Sequence, residues 1–301
     1  MSCSSLTIGA ASRAEMRLGL HALGIGPGAR REVIDAVAVA AETGGFSTLW
    51  AGEHVVLVDR GGSRYPYAAD GQIAVASDSD WLDPLIALSF AAAATRTIRV
   101  ATGVLLLPEH EPVALAKRVA SVDRLSGGRL ALGIGVGWSR EEFAALGIPF
   151  TRRGTRADEY VAAMRTIWSQ DPASFDGTFV SFRDIRVNPK PTHADRLPII
   201  VGGNSDAALR RVARLGDGWY GFNLADVSQA RERITNLRTL CESHGRDPAQ
   251  LEIIVALDHP PRGDEQDALA ELGVDELVLV GVPPDDPEHA SDWLSGLRSG
   301  A

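Results

Sequence analysis

The chain has 301 residues, 45% of them hydrophobic and 23% charged, which is the composition of a globular protein and excludes general disorder. Its 30 Lys and Arg against 39 Asp and Glu give a net charge of −9, which argues against DNA or RNA binding by phosphate neutralisation. Two cysteines, Cys3 and Cys241, are too few for a disulfide framework, and no apolar run is long enough to cross a membrane. We therefore expect a reduced, cytoplasmic protein with no nucleic-acid or membrane partner.

Strand-like and helix-like segments alternate along the chain. Apolar strands are predicted at residues 17–20, 48–51, 98–106, 130–135, 199–201, 218–222, 251–257 and 276–280. Helices are predicted at residues 30–43, 83–95, 112–125, from 139, 156–170, 205–215, 227–244, 264–272 and 289–297. Two irregular pieces interrupt this order: a Gly-, Ser-, Asp- and Tyr-rich stretch at 52–82, and a small hairpin at 175–179 with an Asp-Gly turn.

Eight strands separated by helices predict an α/β fold, a closed (β/α)8 barrel of the TIM type with insertion loops at its C-terminal face. The rival is an open doubly wound sheet, and residues 21–30 (HALGIGPGAR) do contain a GxGxG pattern. That rival also needs an acidic residue closing the second strand, which is not clearly placed, and eight units exceed one such domain. We expect residues 1–15 to be a disordered extension and residues 16–301 to form one barrel domain.

Function in a barrel collects at the C-terminal ends of the strands. The residues that follow the predicted strands there are His21, Glu53-His54, residues 107–110 (LPEH), residues 135–142 (GVGWSREE), residues 202–205 (GGNS), Trp219, Phe222, His259 and Gly281. His54 lies beside the irregular stretch and can accept or donate a proton near neutral pH, although a histidine bonded to loop backbone would look the same in sequence.

Two glycine-rich segments are candidates for contact with a ligand. Residues 202–206 (GGNSD) join a strand to a helix and either seat an anion at the helix N-terminus or form an ordinary turn capped by Asn204 or Ser205. Residues 133–137, followed by Trp138, either leave room for a flat ring or only allow close strand packing. His and Cys residues lack the spacing of metal ligands, so no metal site is predicted.

The chain resembles the luciferase-like monooxygenase superfamily, in particular its coenzyme F420-dependent oxidoreductase branch. The resemblance is carried by LWAGEH (49–54), RVATGVLLLP (99–108), residues 121–150, RGTRADEY (153–160), PIIVGGNSDAALRR (198–211) and GDGW (216–219). It implies a barrel enzyme, usually a dimer, that binds a flavin or deazaflavin at the C-terminal mouth. The loop after the fourth strand departs from the sugar-phosphate dehydrogenase relatives, because Trp138 stands where they have a catalytic Glu.

The resemblance also implies roles for individual residues. His54, with Glu53, matches a proton-transferring pair beside the cofactor ring. Gly103, Val104 and Leu105 match a bulge with a non-proline cis peptide, and counting backwards from Pro108 puts that bond at Val104–Leu105, to within one residue. The remaining cofactor contacts expected are Gly137, Trp138, Glu141, Gly202, Gly203, Asn204, Ser205 and Asp206.

The expected activity is hydride transfer between reduced coenzyme F420 and a small organic substrate. One alternative is a monooxygenase that uses FMN and O2, with reduced flavin supplied by a partner reductase. A further alternative is a flavin- or deazaflavin-binding protein without turnover. A flavin or F420 reductase is therefore a possible partner, and a homodimer is the expected assembly.

Overall fold

The computed structural model describes residues 15–193 and 197–300, so the predicted disorder of residues 1–15, and Cys3 with it, lies outside the described residues except at Glu15. The strands are β1 Arg17–His21, β2 Thr48–Ala51, β3 Arg99–Thr102, β4 Leu105–Leu106, β5 Leu130–Gly135, β6 Ala173–Asp176, β7 Ser181–Ile185, β8 Ile199–Gly202, β9 Gly218–Leu224, β10 Glu252–Leu257 and β11 Glu276–Val280. The helices are α1 Arg31–Thr43, α2 Pro84–Ala94, α3 Pro112–Leu125, α4 Arg140–Ala145, α5 Arg153–Ser169, α6 Asp206–Leu215, α7 Val227–Ser243, α8 Glu265–Leu272 and α9 Ala290–Ser299. No helix of these described ranges is long and apolar enough to span a membrane.

The strands close into an eight-position parallel barrel. Their order around it is β3, β2, β1, β11, β10, β9, β8 and β5, and pairing of β3 with β5 at Val100 and Leu130 completes the ring. β4 continues the third position and also pairs with β5. The predicted (β/α)8 barrel is therefore confirmed, and the C-terminal ends of all eight positions meet at one mouth.

Local sequence signals fix several helix starts. Asp83 precedes Pro84 and accepts hydrogen bonds from the backbone N–H groups of Leu85 and Ile86, at 2.8 and 3.1 Å, which begins α2 as predicted. Ser205 caps α6 in the same manner through the Ala208 N–H, at 3.2 Å. The two helices thus begin on the mouth side of the barrel.

The barrel has an inner core separate from the layer between strands and helices. Its buried members are Trp50, Ala101, Ala131, Ile200, Tyr220, Ile254, Ala256 and Val278. Below them, the Trp50 indole N–H donates to the Glu276 carboxylate at 2.7 Å, and Glu276 is fully buried. Large and small side chains together fill the barrel, so it is packed and any ligand must bind at its mouth.

Three predicted boundaries are corrected. The third strand does not run through 98–106, since β3 ends at Thr102 and β4 begins at Leu105. The cis peptide joins Gly103 to Val104, within the one residue allowed around the predicted Val104–Leu105 bond. The hairpin has a four-residue turn at 177–180 instead of an Asp-Gly turn, since the Glu159 carboxylate accepts the N–H groups of residues 178–180 and holds the turn open. α5 begins at Arg153, earlier than the predicted start at 156. The prediction was late because the first turn of α5 lacks the apolar pattern on which it was based.

Candidate active site

Aromatic side chains line the floor of the mouth around His21. His21 ends β1 and its Nδ1 lies 3.1 Å from the Tyr220 hydroxyl, while its ring centroid lies 5.6 Å from that of Phe222. Burial lowers the pKa of His21 to about 4, so the ring is neutral at physiological pH. Gly52 and Gly103 flank it, and a Cβ on either would lie 3.2–3.3 Å from the imidazole. The floor is therefore aromatic and uncharged.

Val104 projects between two glycines of neighbouring strands. A Cβ on Gly135 would lie 2.7 Å from one Val104 methyl group, and a Cβ on Gly202 would lie 2.7 Å from the other. Leu105, the next residue, is buried in the layer between strands and helices. At Gly133 a Cβ would lie 1.8 Å from the Thr102 carbonyl oxygen, so that glycine serves close strand packing. The glycines of β5 thus make room for the protein's own strand and for Val104.

His54 is held by a buried carboxylate that sequence reading had given no role. His54 Nδ1 lies 2.7 Å from Glu142 Oε2, and Glu142 Oε1 accepts the backbone N–H groups of Val55 and Val56 at 2.8 and 3.1 Å. On the other side of the ring, the Trp138 indole N–H donates to His54 Nε2 over 3.4 Å. Because an indole only donates, Nε2 is the acceptor and Nδ1 carries the proton, so the basic nitrogen of His54 is directed towards Trp138.

Glu53 faces away from its neighbour His54. Its carboxylate accepts the Leu106 N–H at 2.6 Å and lies 3.0 Å from His110 Nε2. The Arg118 guanidinium donates to His110 Nδ1 over 3.3 Å, so His110 carries its proton on Nε2 and donates it to Glu53. Glu53 therefore ties β2 to the residues around β4 and does not line the pocket described below.

Glu109 is a third buried carboxyl beside these two pairs. It is 8% exposed, and neither of its oxygens has a hydrogen-bond partner among the described residues. Burial and the negative charges of Glu142 and Glu53 raise the pKa of Glu109 to about 9, so it is protonated at neutral pH. A Cβ on Gly137, whose φ is +74°, would lie 3.0 Å from Glu109 Oε1 and 2.6 Å from Phe143, so only glycine fits there.

A cavity of about 380 Å³ opens beside His54, between the irregular stretch 52–82 and the loop after β5. His54, Trp138 and Glu141 line it together with apolar side chains of the stretch, such as Val56 and Ile73. Glu141 holds the stretch by accepting the N–H groups of Gly62 and Ser63 at 2.6 and 3.2 Å, and bonds from Ser63 and from backbone N–H groups lower the Glu141 pKa to about 2. The cavity can hold a small organic molecule within reach of His54.

The segment 202–206 forms a turn with features of an anion seat. Gly203 has φ +117°, Ser205 caps α6, and Asp206 pairs with Arg233 at 3.1 Å. The Asn204 amide nitrogen donates to the Phe222 carbonyl at 2.7 Å, whereas Asn204 Oδ1 is buried with no partner among the described residues. Backbone N–H groups at a helix start attract a phosphate, and an unpartnered amide oxygen accepts a hydrogen bond from a hydroxyl group, so this turn is a candidate site for a polyol phosphate.

The structure brings the predicted site residues into two groups around one mouth. His54, Trp138 and Glu141 line the cavity, and Gly137 precedes Trp138 in the same loop, whereas Val104 and residues 202–206 lie at the neighbouring ends of β4, β5 and β8. Sequence reading missed the roles of Glu142 and Glu109, although both belong to the strand ends that it singled out. The repeated Glu-His dipeptide at 53–54 and 109–110 could have pointed to Glu109, whereas nothing in the sequence separates Glu142 from its neighbour Glu141.

The fold and the site define a closed (β/α)8 barrel with a histidine–carboxylate pair at its mouth. The profile of the luciferase-like monooxygenase family matches residues 15–299, and the chain belongs to that family, whose members are oxidoreductases. A relative in Mycobacterium tuberculosis, an uncharacterised protein, is 37% identical over 265 residues, covering 88% of this chain and 92% of the relative. The predicted family is thereby confirmed.

Relatives with stated activities use two different cofactors. An FMNH2-dependent dimethylsulfone monooxygenase of Pseudomonas putida is 34% identical over 210 residues, covering 69% of this chain and 55% of that enzyme. Among solved structures, an F420-dependent secondary alcohol dehydrogenase in complex with an F420–acetone adduct superposes with a TM-score of 0.72 at 16% identity, covering 95% of this chain and 99% of the other. The F420-dependent tetrahydromethanopterin reductase of Methanopyrus kandleri gives 0.71 at 15% identity, covering 93% and 97%. These two structures share the barrel fold with this chain.

Proposed function

We propose that the protein is an F420-dependent oxidoreductase that transfers a hydride between the deazaflavin and a small organic substrate. The observation that carries this proposal is the His54–Glu142 pair, which presents a basic imidazole nitrogen beside a cavity of substrate size. Hydride transfer to or from a carbonyl carbon needs a partner group that moves a proton at the oxygen, and an imidazole held in one tautomer is suited to that task.

Residues of the seat would hold the cofactor. The start of α6, with Gly203 and Ser205, fits the phosphate that flavins and deazaflavins share, and Asn204 Oδ1 fits a hydroxyl of their ribityl chain. Val104, between Gly135 and Gly202, and the neutral aromatic floor around His21 would meet the ring. When bound, the deazaflavin supplies hydride chemistry that no amino-acid side chain provides.

His54 would move the proton. Its Nε2 accepts a proton when a substrate hydroxyl is oxidised and returns it when a carbonyl is reduced, while Glu142 fixes the ring and stabilises the imidazolium formed in between. Trp138 and Trp81 pack against the edges of the ring, with centroids 5.7 and 5.0 Å away, and keep water from it. Glu53 acts as a positioning residue, because it anchors the Leu106 backbone beside Val104.

The alternative is an FMN-dependent monooxygenase supplied with reduced flavin by a partner reductase, and the identity to the dimethylsulfone monooxygenase favours it. Length supports the F420 branch, because in superposition this chain covers 97–99% of the two F420 enzymes and 60–80% of the solved monooxygenases. FMN and F420 both carry a ribityl phosphate, which would make the same contacts with residues 202–206. The two cofactors must therefore be distinguished by their ring systems and by the reactions that these support.

Spectroscopic titration of the protein with F420 and, separately, with FMN tests which cofactor binds. Turnover is then measured on a panel of small alcohols, ketones and enones. His54→Ala should lower turnover by about 10²–10⁴-fold while leaving the cofactor dissociation constant within about twofold. Preferential binding of FMN with O2 consumption would favour the monooxygenase. Cofactor binding without any turnover would favour a carrier or sensor, and unchanged turnover in His54→Ala would remove His54 from the reaction.

A further inference from the structure

The middle of the irregular stretch forms a compact turn over the mouth. The Tyr65 N–H donates to the Gly71 carbonyl at 2.8 Å, and the Gly71 N–H donates to the Ala68 carbonyl at 3.0 Å. The Tyr65 ring contacts Trp138 on the cavity side, with centroids 5.4 Å apart, and contacts Tyr67 at the same distance on the other side. This turn, residues 65–71, therefore spans from the cavity beside His54 towards the anion seat.

Tyr67 stands at the seat end of this turn and is fixed from below. Its ring meets that of Phe222 edge to face, with centroids 5.7 Å apart. The Asn223 side-chain amide donates to the Tyr67 carbonyl oxygen at 3.0 Å, from a residue whose φ is +56°. Asn is one of the few non-glycine residues that adopt this conformation readily, which directs its short amide up towards the turn.

The Tyr67 hydroxyl points at the seat and has no protein partner there. A Cβ on Gly203 would lie 3.5 Å from it, so the oxygen is next to the glycine of the seat. No hydrogen bond joins this hydroxyl to any residue in 15–193 or 197–300. Burial raises the pKa of Tyr67 to about 12, which keeps the phenol protonated and a donor across the physiological range.

We propose that the Tyr67 hydroxyl donates a hydrogen bond to the phosphoryl group of the cofactor bound at Gly203, so that the turn 65–71 closes on the cofactor through its anion. This inference rests on the proposed function, since it takes a phosphorylated flavin or deazaflavin as the ligand. It also assigns Asn223 as a positioning residue, which holds the Tyr67 backbone so that the hydroxyl reaches the seat. Because one turn touches both the seat and the wall of the cavity, it links the cofactor to the substrate site.

Ligand pairs that differ at the phosphate separate this role from simple packing. The dissociation constants of FMN and riboflavin, and of F420 and 8-hydroxy-5-deazariboflavin, are measured by fluorescence for the wild type, Tyr67→Phe and the control Tyr65→Phe. Tyr67→Phe removes one oxygen and keeps the ring, so it should weaken the phosphorylated ligands about tenfold or more, the effect of losing one hydrogen bond to a charged group. It should leave the unphosphorylated ligands unchanged, and Tyr65→Phe should change neither.

Asn223→Ala tests the same inference at a second residue. If Asn223 positions Tyr67, this variant should also weaken the phosphorylated ligands selectively, and should add little in the double variant with Tyr67→Phe. Equal weakening of both members of a pair by Tyr67→Phe, or no weakening of either, overturns the inference while the proposed function stands. If the wild type binds neither tricyclic ring system, the proposed function is wrong and the inference falls with it.

Discussion

The protonated state of Glu109 has a consequence for stability that can be measured without any cofactor. Its pKa of about 9 in the fold lies well above the ordinary value of 4.5, because the carboxyl is buried beside the charges of Glu142 and Glu53. Between those two values the folded protein holds a proton that the unfolded chain has released. Each pH unit in that window therefore lowers the free energy of unfolding by at most about 1.4 kcal/mol, and the rise from pH 5.5 to 7.5 costs about 2–3 kcal/mol.

Glu109→Gln removes this proton linkage while keeping the size of the side chain. We expect the difference in unfolding free energy between variant and wild type to move in favour of the variant as the pH rises from 5.5 to 7.5, by about 2–3 kcal/mol. Denaturant unfolding at a series of pH values measures this difference. The slopes of unfolding free energy against pH are compared, because the amide also shifts the unfolding free energy by an amount that does not depend on pH. The exposed Glu32 serves as a control, since Glu32→Gln should follow the wild-type slope. Parallel profiles for Glu109→Gln and wild type would refute the assignment of a protonated Glu109.

Two further predictions concern groups that hold the site. Glu142→Gln places an amide where three N–H groups now converge. Turnover in steady-state assays should fall about 10–100-fold while the cofactor affinity stays unchanged. Turnover equal to that of the wild type would contradict the role of Glu142 in positioning His54. Gly203→Ala forces a Cβ to within 3.0 Å of the Ala208 Cβ at φ +117°, which should weaken cofactor binding about tenfold in a fluorescence titration. Its control is Gly245→Ala, also at positive φ but with open space around it, which should leave that affinity unchanged.

The barrel could be predicted because its signals are local and repeated. Each strand is a short apolar run, each helix has a cap or an amphipathic stripe, and alternation of the two allows few topologies. The errors fall where a long-range contact overrides the local pattern. The hairpin turn is widened by Glu159 from another element, and the strand break at Gly103 lies within a continuous apolar run that carries no other stop signal.

The location of the candidate site could be predicted because the C-terminal ends of the strands share one face of the barrel. The hydrogen-bond partners of its side chains could not be predicted. His54 was identified from its position, but Glu142 follows it by 88 residues and comes from the first turn of α4. Tyr67 lies in a stretch with no periodicity, so nothing in the sequence separates it from Tyr65, and only the contact with Gly203 and Asn223 distinguishes the two. Hydrogen bonds between side chains across the mouth depend on the geometry of the loops. Loop geometry leaves no regular pattern in a single sequence.

The two Glu-His dipeptides illustrate how this chain separates structural from chemical roles. The side chains of Glu53 and His54 point in different directions, so Glu53 does not serve the histidine next to it. Glu53 accordingly binds His110 from the other dipeptide, and both are fixed by further donors, Leu106 N–H and Arg118. His54 is left to take its carboxylate from α4, which also packs against the cavity loop through Glu141. His54, which lines the cavity, and the irregular stretch 52–82 are therefore held by adjacent carboxylates of one short helix.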